Sequence, residues 1–168
     1  MLIRTEAPAD ILAIDALLKK VFPNEQEAQL VMQLRENARI TLSLVACNDD
    51  GELIGHVLFS PVTLDGEDLG WQGLAPLAIA TEYRQQGIAK QLINEGISSL
   101  AEFGYSGCFV LGDPNFYQRF GFTQADQFGF TSIYPDAEQA FQAQSLYGDA
   151  FAGHKGLIEY APEFNALG

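Results

Sequence analysis

Apolar residues recur at two spacings along this chain, and the switches between them lay out its elements. Residues 1–4 read as a short strand. Ile11, Ile14, Leu17, Leu18 and Val21 then recur at helical spacing. Pro8 and Asp10 suit the first turn of that helix, where proline loses no hydrogen bond and an acid complements the dipole. Pro23 ends it. A second helix is expected over 25–37, with Leu30, Val31 and Leu34 on one face. Residues 42–47 form a strand, and Asn48-Asp49-Asp50-Gly51 is a turn of residues that accept positive φ. Another strand runs from Glu52 to about Thr63, Asp65-Gly66 turns the chain again, and a strand from Trp71 to Ala80 follows. That strand contains Pro76. Proline cannot donate to a ladder, so the strand is expected to be bulged or unpaired there.

A helix from about Gln86 to Phe103 buries Ile88, Leu92, Ile93, Ile97 and Leu100, and Gly104 suits its C-terminal cap. Residues 107–112 are a short apolar strand, and Asn115 to Phe120 is a short helix stopped by Gly121. Strands are expected near 130–133, 140–146 and 156–161. The order is strand, two helices, three strands, helix, strand, helix, strands, which predicts a mixed α/β sheet with helices on both faces. No repeat or long linker divides the 168 residues, so one domain spanning 1–168 is expected. Such a chain buries roughly 70 % of its unfolded surface.

Composition narrows the function. With a net charge of −13, the chain repels nucleic-acid phosphates and anionic lipid, which argues against both as partners. The acidity would attract a cationic amine or simply keep the chain soluble; the scatter of the carboxylates favours solubility. No apolar run reaches a membrane span, and Met1 to Glu6 does not resemble a signal peptide. Cys47 and Cys108 each sit in an apolar run and read as reduced, buried thiols. No Cys/His spacing suits a metal, so none is expected. The cytoplasm is the expected compartment.

One short segment carries candidate chemistry. Arg84, Gln85, Gln86, Gly87, Ile88 and Ala89 lie between a predicted strand and a predicted helix, with Lys90 just after. A helix start offers free N–H groups and the positive end of the dipole, and binds phosphate. Gly87 allows a close backbone approach, small Ala89 does the same, and Arg84 adds a charge-assisted bond. Taken alone, such a glycine is equally an ordinary loop residue. Only nine Lys and Arg occur in the chain, yet Arg84 and Lys90 bracket this loop.

The run Leu74-Ala75-Pro76-Leu77-Ala78-Ile79, followed by Arg84-x-x-Gly87-x-Ala89, resembles the Q/R-x-x-G-x-G/A cofactor motif of the GNAT superfamily of N-acetyltransferases. Asn115-Phe116-Tyr117-Gln118-Arg119-Phe120-Gly121-Phe122 resembles its second signature. Gly55 to Val62, Leu111 to Phe122 and Tyr160-Ala161-Pro162-Glu163-Phe164 are similar in particular to the YhbS-like branch, and the likeness covers the whole chain. The resemblance implies a mixed central sheet splayed between its fourth and fifth strands, with acetyl-CoA as co-substrate. Leu77, Ala78 and Ile79 would pair with the pantetheine arm. Residues 84–89, with Lys90, would hold the pyrophosphate, and Asn115 would contact the arm. Tyr117, otherwise read as a tyrosine packed beside Phe116 and Phe120, would stand near the thioester sulfur as the catalytic acid.

The implied activity is acetyl transfer to a primary amine, on a small molecule or a peptide N-terminus, with a homodimer allowed. A non-catalytic acetyl-CoA sensor is the alternative. Some members of the superfamily carry a glutamate on the fourth strand, where this chain reads Trp71-Gln72-Gly73. His56 can titrate near neutrality but reads better as a core histidine. Asp113 fits a helix cap equally well. His154 reads as a surface-turn residue.

Overall fold

The elements follow the chemistry of their ends. In this computed structural model, which describes residues 1–167, strand β1 (Leu2–Thr5) leads into a 3-10 turn at Pro8–Asp10 and then helix α1 (Ile11–Val21). The Asp10 carboxylate makes that entry. It accepts the Ala7 amide at 2.7 Å and holds Arg4 at 2.7 Å. The Arg4 bond, backed by the Ala7 amide, lowers its pKa to about 2. Helix α2 (Gln26–Glu36) precedes β2 (Leu42–Cys47) and β3 (Leu53–Pro61). The β2–β3 hairpin turns on Asn48, whose side-chain oxygen accepts the amides of Asp50 and Glu52 at 3.0 and 2.9 Å. Then come β4 (Thr63–Leu64), β5 (Trp71–Ile79), α3 (Ile88–Glu102), β6 (Gly107–Leu111) and α4 (Pro114–Tyr117). Short strands β7 (Thr123–Gln124), β8 (Phe130–Thr131), β9 (Phe141–Ser145) and β10 (Gly156–Glu159) complete the fold.

The main sheet has the order β1-β2-β3-β5-β6-β9-β7 and a smaller one the order β4-β10-β8. The main sheet is mixed: β1–β2, β2–β3, β6–β9 and β7–β9 are antiparallel, and β5–β6 is parallel. The chain divides into two compact units. One contains Met1–Phe59, Ala75–Gly96 and the residues from Pro162 on; the other contains Ser60–Leu74 and Ile97–Ala161.

Two boundaries and one strand bear on the site and differ from those expected. The strand expected to reach Thr63 stops at Pro61, and Thr63 and Leu64 pair instead with Glu159 and Ile158 of β10. The helix expected from Gln86 starts at Ile88, because Gln85 and Gly87 have φ of +63° and +79°, which a right-handed helix excludes. Strand β7 was not anticipated; two residues carry too little alternation to be seen.

Strand β5 has the expected irregularity. Val62 donates to the Trp71 carbonyl at 3.1 Å, and Ala80 donates to the Ile54 carbonyl at 2.8 Å. In a regular strand successive peptide groups face opposite edges, so residues an odd number apart face opposite ways. Trp71 bonds to Val62, the residue just past β3, and Ala80 bonds to Ile54 of β3; both thus face the same side, and the strand slips by one residue between them. The ladder to β6 runs from Trp71↔Gly107 to Leu74↔Val110 and ends there. The next amide in that alternation is that of Pro76, which has no hydrogen.

In the first unit a polar chain lies inside apolar strands. Arg35 of α2 grips Glu6 through two nitrogens, at 3.0 and 3.3 Å. Ser43 donates to Glu6 at 2.5 Å, so it must accept from His56 Nε2, 2.9 Å away. His56 is fully buried, and burial lowers its pKa to about 4. In the second unit Trp71, Phe109, Phe130 and Phe151 pack with ring centroids 5.1 to 5.7 Å apart. Cys47 and Cys108 are both free and buried, and burial pushes the Cys108 thiol pKa up.

The His56 shift has a measurable consequence. Its folded pKa lies below the ordinary 6.5, so between about pH 6.5 and 4 the unfolded chain binds the extra proton. Stability should therefore fall as pH drops through that window, by about 3 kcal/mol from this group. Urea unfolding at several pH values checks it: His56→Gln should lose that part of the slope even if it is less stable throughout. The Asp10 contribution belongs to lower pH, between about 4 and 2.

Candidate active site

The first unit holds the segment from Leu77 to Lys90. After β5, Thr81–Tyr83 makes a 3-10 turn, and Arg84 is extended. Two positive-φ residues, Gln85 and Gly87, then swing the backbone into α3. The first helical bond runs from the Gln91 amide to the Gly87 carbonyl at 3.1 Å. The amides of Ile88, Ala89 and Lys90 therefore precede the ladder and point out of the helix start. A Cβ on Gly87 would meet nothing within 4 Å, so the space above this loop is open. Arg84 is exposed and donates from Nε to the Ile79 carbonyl at 3.4 Å. Tyr83 steadies the turn by accepting a bond from Asn48 at 3.0 Å.

Two of the cations left without a carboxylate partner among the described residues flank this loop. Arg4, Lys19, Arg35 and Arg39 are each paired with a carboxylate. Among the described residues the other five cations, Lys20, Arg84, Lys90, Arg119 and Lys155, have no such partner. In a chain with 22 Asp and Glu against nine Lys and Arg, cations left unpaired around a helix start suit an anionic ligand.

The second unit holds Asn115 and Tyr117. Strand β6 ends at Leu111, and Asp113 caps α4 by accepting the Asn115 amide at 2.9 Å. Asp113 is thus a helix cap. The Tyr117 ring is buried against Phe116, Phe120 and Phe122. Its hydroxyl makes no hydrogen bond among the described residues. Burial, helped by Cys108, pushes its pKa up to about 12. The ring leaves no room at Gly112, where a Cβ would stand 2.5 Å from Tyr117 Cε2. The Asn115 side chain is exposed.

His56, sealed in the Glu6–Ser43 chain, is a core residue. His154 lies in an exposed turn with its ring edge-on to Trp71, centroids 5.4 Å apart. Two supporting residues escaped sequence reasoning. Gln142 of β9 is buried and donates to the carbonyls of Gly112 and Ala140, both at 3.2 Å, which fixes the turn into α4. Tyr160 reaches the carbonyls of Phe109 and Leu74 at 3.0 and 3.4 Å. Only the tertiary fold brings such distant positions together. Among the described residues no helix is long and apolar enough to cross a membrane, and no three His, Cys, Asp or Glu cluster as metal ligands.

The family profile for the acetyltransferase (GNAT) domain matches residues 40–124, which span β2 to β7 and both motif segments. The chain belongs to the GNAT family. This GNAT domain is 51 % identical to the uncharacterised N-acetyltransferase YhbS of Escherichia coli K12, over 98 % of this chain and 99 % of that one. It is 38 % identical to YjhQ, another uncharacterised N-acetyltransferase of the same organism, over 71 % of this chain and 68 % of YjhQ. The crystal structure of E. coli YhbS in complex with CoA superposes with a TM-score of 0.96 at 50 % identity, covering 99 % of this chain and 93 % of that one. A Brucella melitensis GNAT acetyltransferase in complex with acetyl-CoA gives a TM-score of 0.81 at 33 % identity, covering 97 % of each chain.

The two motif glycines should answer differently to alanine. Gly112→Ala drives a methyl into the Tyr117 ring and should destabilise the free protein by about 1–3 kcal/mol. Gly87→Ala meets only open space and pays the left-handed backbone penalty, about 1–2 kcal/mol. Thermal melts of both, with a crystal structure of Gly112→Ala, check this; an unmoved Tyr117 ring would overturn the packing argument.

Proposed function

We propose that this GNAT domain, residues 1–168 acting as one catalytic domain, moves acetyl from acetyl-CoA to a primary amine by direct attack. The amine belongs to a small molecule or a peptide N-terminus. The observation that carries the reading is the helix start at Ile88, with open space over Gly87 and the unpaired cations Arg84 and Lys90 beside it. Backbone amides from Gln85 to Lys90 take the pyrophosphate in this reading, and Asn115 contacts the cofactor arm.

Of Leu77, Ala78 and Ile79, the first and last offer the arm their backbone groups. Counting back from Ala80, which faces β3, Ala78 faces β3 as well, while Leu77 and Ile79 face the opposite edge. The bond from Arg84 to the Ile79 carbonyl supports that orientation. Ile79 is therefore a better oxyanion donor than Ala78. The amine nitrogen attacks the thioester carbonyl carbon, the carbonyl oxygen takes the charge, and the C–S bond then breaks. The amide product releases a proton to solvent, and the thiolate gains one to leave as CoA thiol. The Tyr117 hydroxyl, with no hydrogen-bond partner among the described residues, is the group offered to that sulfur. At a pKa of about 12 it stays protonated throughout the working range, so it donates a hydrogen bond before it gives up a proton.

The acceptor follows from what stands at Trp71-Gln72-Gly73. Gln72 is a neutral amide and takes no proton. An α-amino group of pKa ~7.8 is about 10–15 % neutral at pH 7, whereas a lysine of pKa ~10.4 is below ~0.1 % neutral. Without a strand carboxylate as base, an α-amino or similarly acidic amine is favoured over a protein lysine. The missing carboxylate also favours a non-catalytic acetyl-CoA sensor, and Tyr117 separates the two readings. The free thiols suit a reducing compartment and support the cytoplasm.

Acetyl-CoA should raise the melting temperature of the pure protein. Arg84→Ala should weaken that effect and its salt dependence while sparing turnover at saturation, and Gly87→Val should abolish it. An unchanged melting temperature at millimolar CoA would sink the reading. With an acceptor found by thiol release, Tyr117→Phe should keep CoA affinity and lose about 10²–10⁴-fold in turnover. In wild type no alkaline limb due to Tyr117 should appear in kcat/KM below about pH 11. Full turnover in Tyr117→Phe would make it a packing residue and favour the sensor.

A further inference from the structure

Tyr160 lies just beyond β10, and its side chain returns to the last rung between β5 and β6. Its hydroxyl is 3.0 Å from the Phe109 carbonyl oxygen and 3.4 Å from that of Leu74. The register there is Gly73↔Phe109 and Leu74↔Val110, so the two oxygens belong to opposite strands at the point where the ladder ends. A hydroxyl has one proton to give. It donates to Phe109 at the shorter distance and shares the bond with Leu74.

The ring is fitted to the same place. A Cβ on Gly73 would stand 2.5 Å from Tyr160 Cε2 and 2.6 Å from Cζ, so Tyr160 lies flat on a glycine that has no room for a side chain. Burial around the hydroxyl raises its pKa well above 10, with Cys108 and Tyr117 adding to the rise. The group is thus a donor at every working pH and never a base.

Past Leu74 the next amide in the alternation toward β6 is that of Pro76, which has no hydrogen to give. The Leu74 rung is therefore the last that ties β5 to β6 before the slip. A slide of one residue would turn the peptide groups of Leu77 and Ile79 to the wrong edge. We infer that Tyr160 is a positioning residue for the cofactor arm: its hydroxyl locks the last β5–β6 rung and so sets the direction in which the downstream amides of Leu77 and Ile79 face. This rests on the proposed role of those amides in holding pantetheine.

The test separates the arm from the nucleotide end. CoA engages both the arm-binding strand and the 84–90 loop. Adenosine 3′,5′-bisphosphate lacks the arm and the phosphate next to it, and probes the nucleotide end alone. Calorimetric titration of Tyr160→Phe should give a CoA Kd raised about tenfold, the worth of one well-placed hydrogen bond, and a bisphosphate Kd within about twofold of wild type. Gly73→Ala, which displaces the ring by a different route, should give the same split. Equal weakening of both ligands would mean general loosening of the fold and overturn the inference, as would unchanged affinity for both. A purely structural tyrosine would lower the melting temperature and leave the ratio of the two affinities where it was. Wild-type protein that binds the bisphosphate but gains nothing from the arm would overturn the pantetheine assignment itself, a result distinct from failure of Tyr160 alone.

Discussion

A single absent hydrogen organises this molecule. Every residue of β5 but one can donate to a neighbour, and the exception, Pro76, falls where the ladder to β6 would otherwise continue. The strand must slip, because Trp71 and Ala80 both bond toward β3. By the alternation of the strand, the slip turns the amides of Leu77 and Ile79 away from β3, beyond the last rung to β6. A sheet edge with unspent donors is normally a hazard, since it invites other chains to pair. In the proposed function, the same liability would serve as a docking edge for an extended, amide-bearing ligand such as the pantetheine arm.

Charge completes the design by subtraction. The protein is strongly acidic, and a polyanion would be repelled by a uniform distribution of that charge. Carboxylates instead occupy several cations elsewhere: Asp10 on Arg4, Asp15 on Lys19, Glu6 on Arg35 and Glu163 on Arg39. Arg84 and Lys90 escape such pairing. Screening over roughly 8 Å lets that local field stand apart from the total.

Much of this was legible in the sequence because it depends on neighbours in the chain. The helical faces, the hairpin at Asn48, the irregularity at Pro76 and the two motif segments all follow from local spacing and local chemistry. The start of α3 was misjudged by two residues, since Gln86 has ordinary helix propensity and only the positive φ of Gln85 and Gly87 excludes it. What stayed hidden depends on distant pairs. Gln142 and Gly112 lie 30 residues apart, and Tyr160 and Leu74 lie 86 apart. Neither glutamine nor tyrosine announces its partner, and no periodicity marks a side chain that returns to a strand end. The buried Glu6–Ser43–His56 chain was equally opaque, because a histidine on an apolar strand does not reveal what satisfies it.

The fit of Tyr160 on Gly73, and of Tyr117 on Gly112, carries an evolutionary corollary. Each ring occupies the volume that a side chain on its glycine would need, so neither partner is free to drift alone. A lineage that lost the aromatic ring at either site would release its glycine to accept alanine or serine, and a lineage that filled the glycine first would be pressed to shrink the ring. Positions 73 and 160 should therefore change together across relatives, as should 112 and 117. The second pair would be held further by chemistry if Tyr117 acts on the substrate, so unequal rates of paired change would distinguish a tyrosine kept for its shape from one kept for its proton.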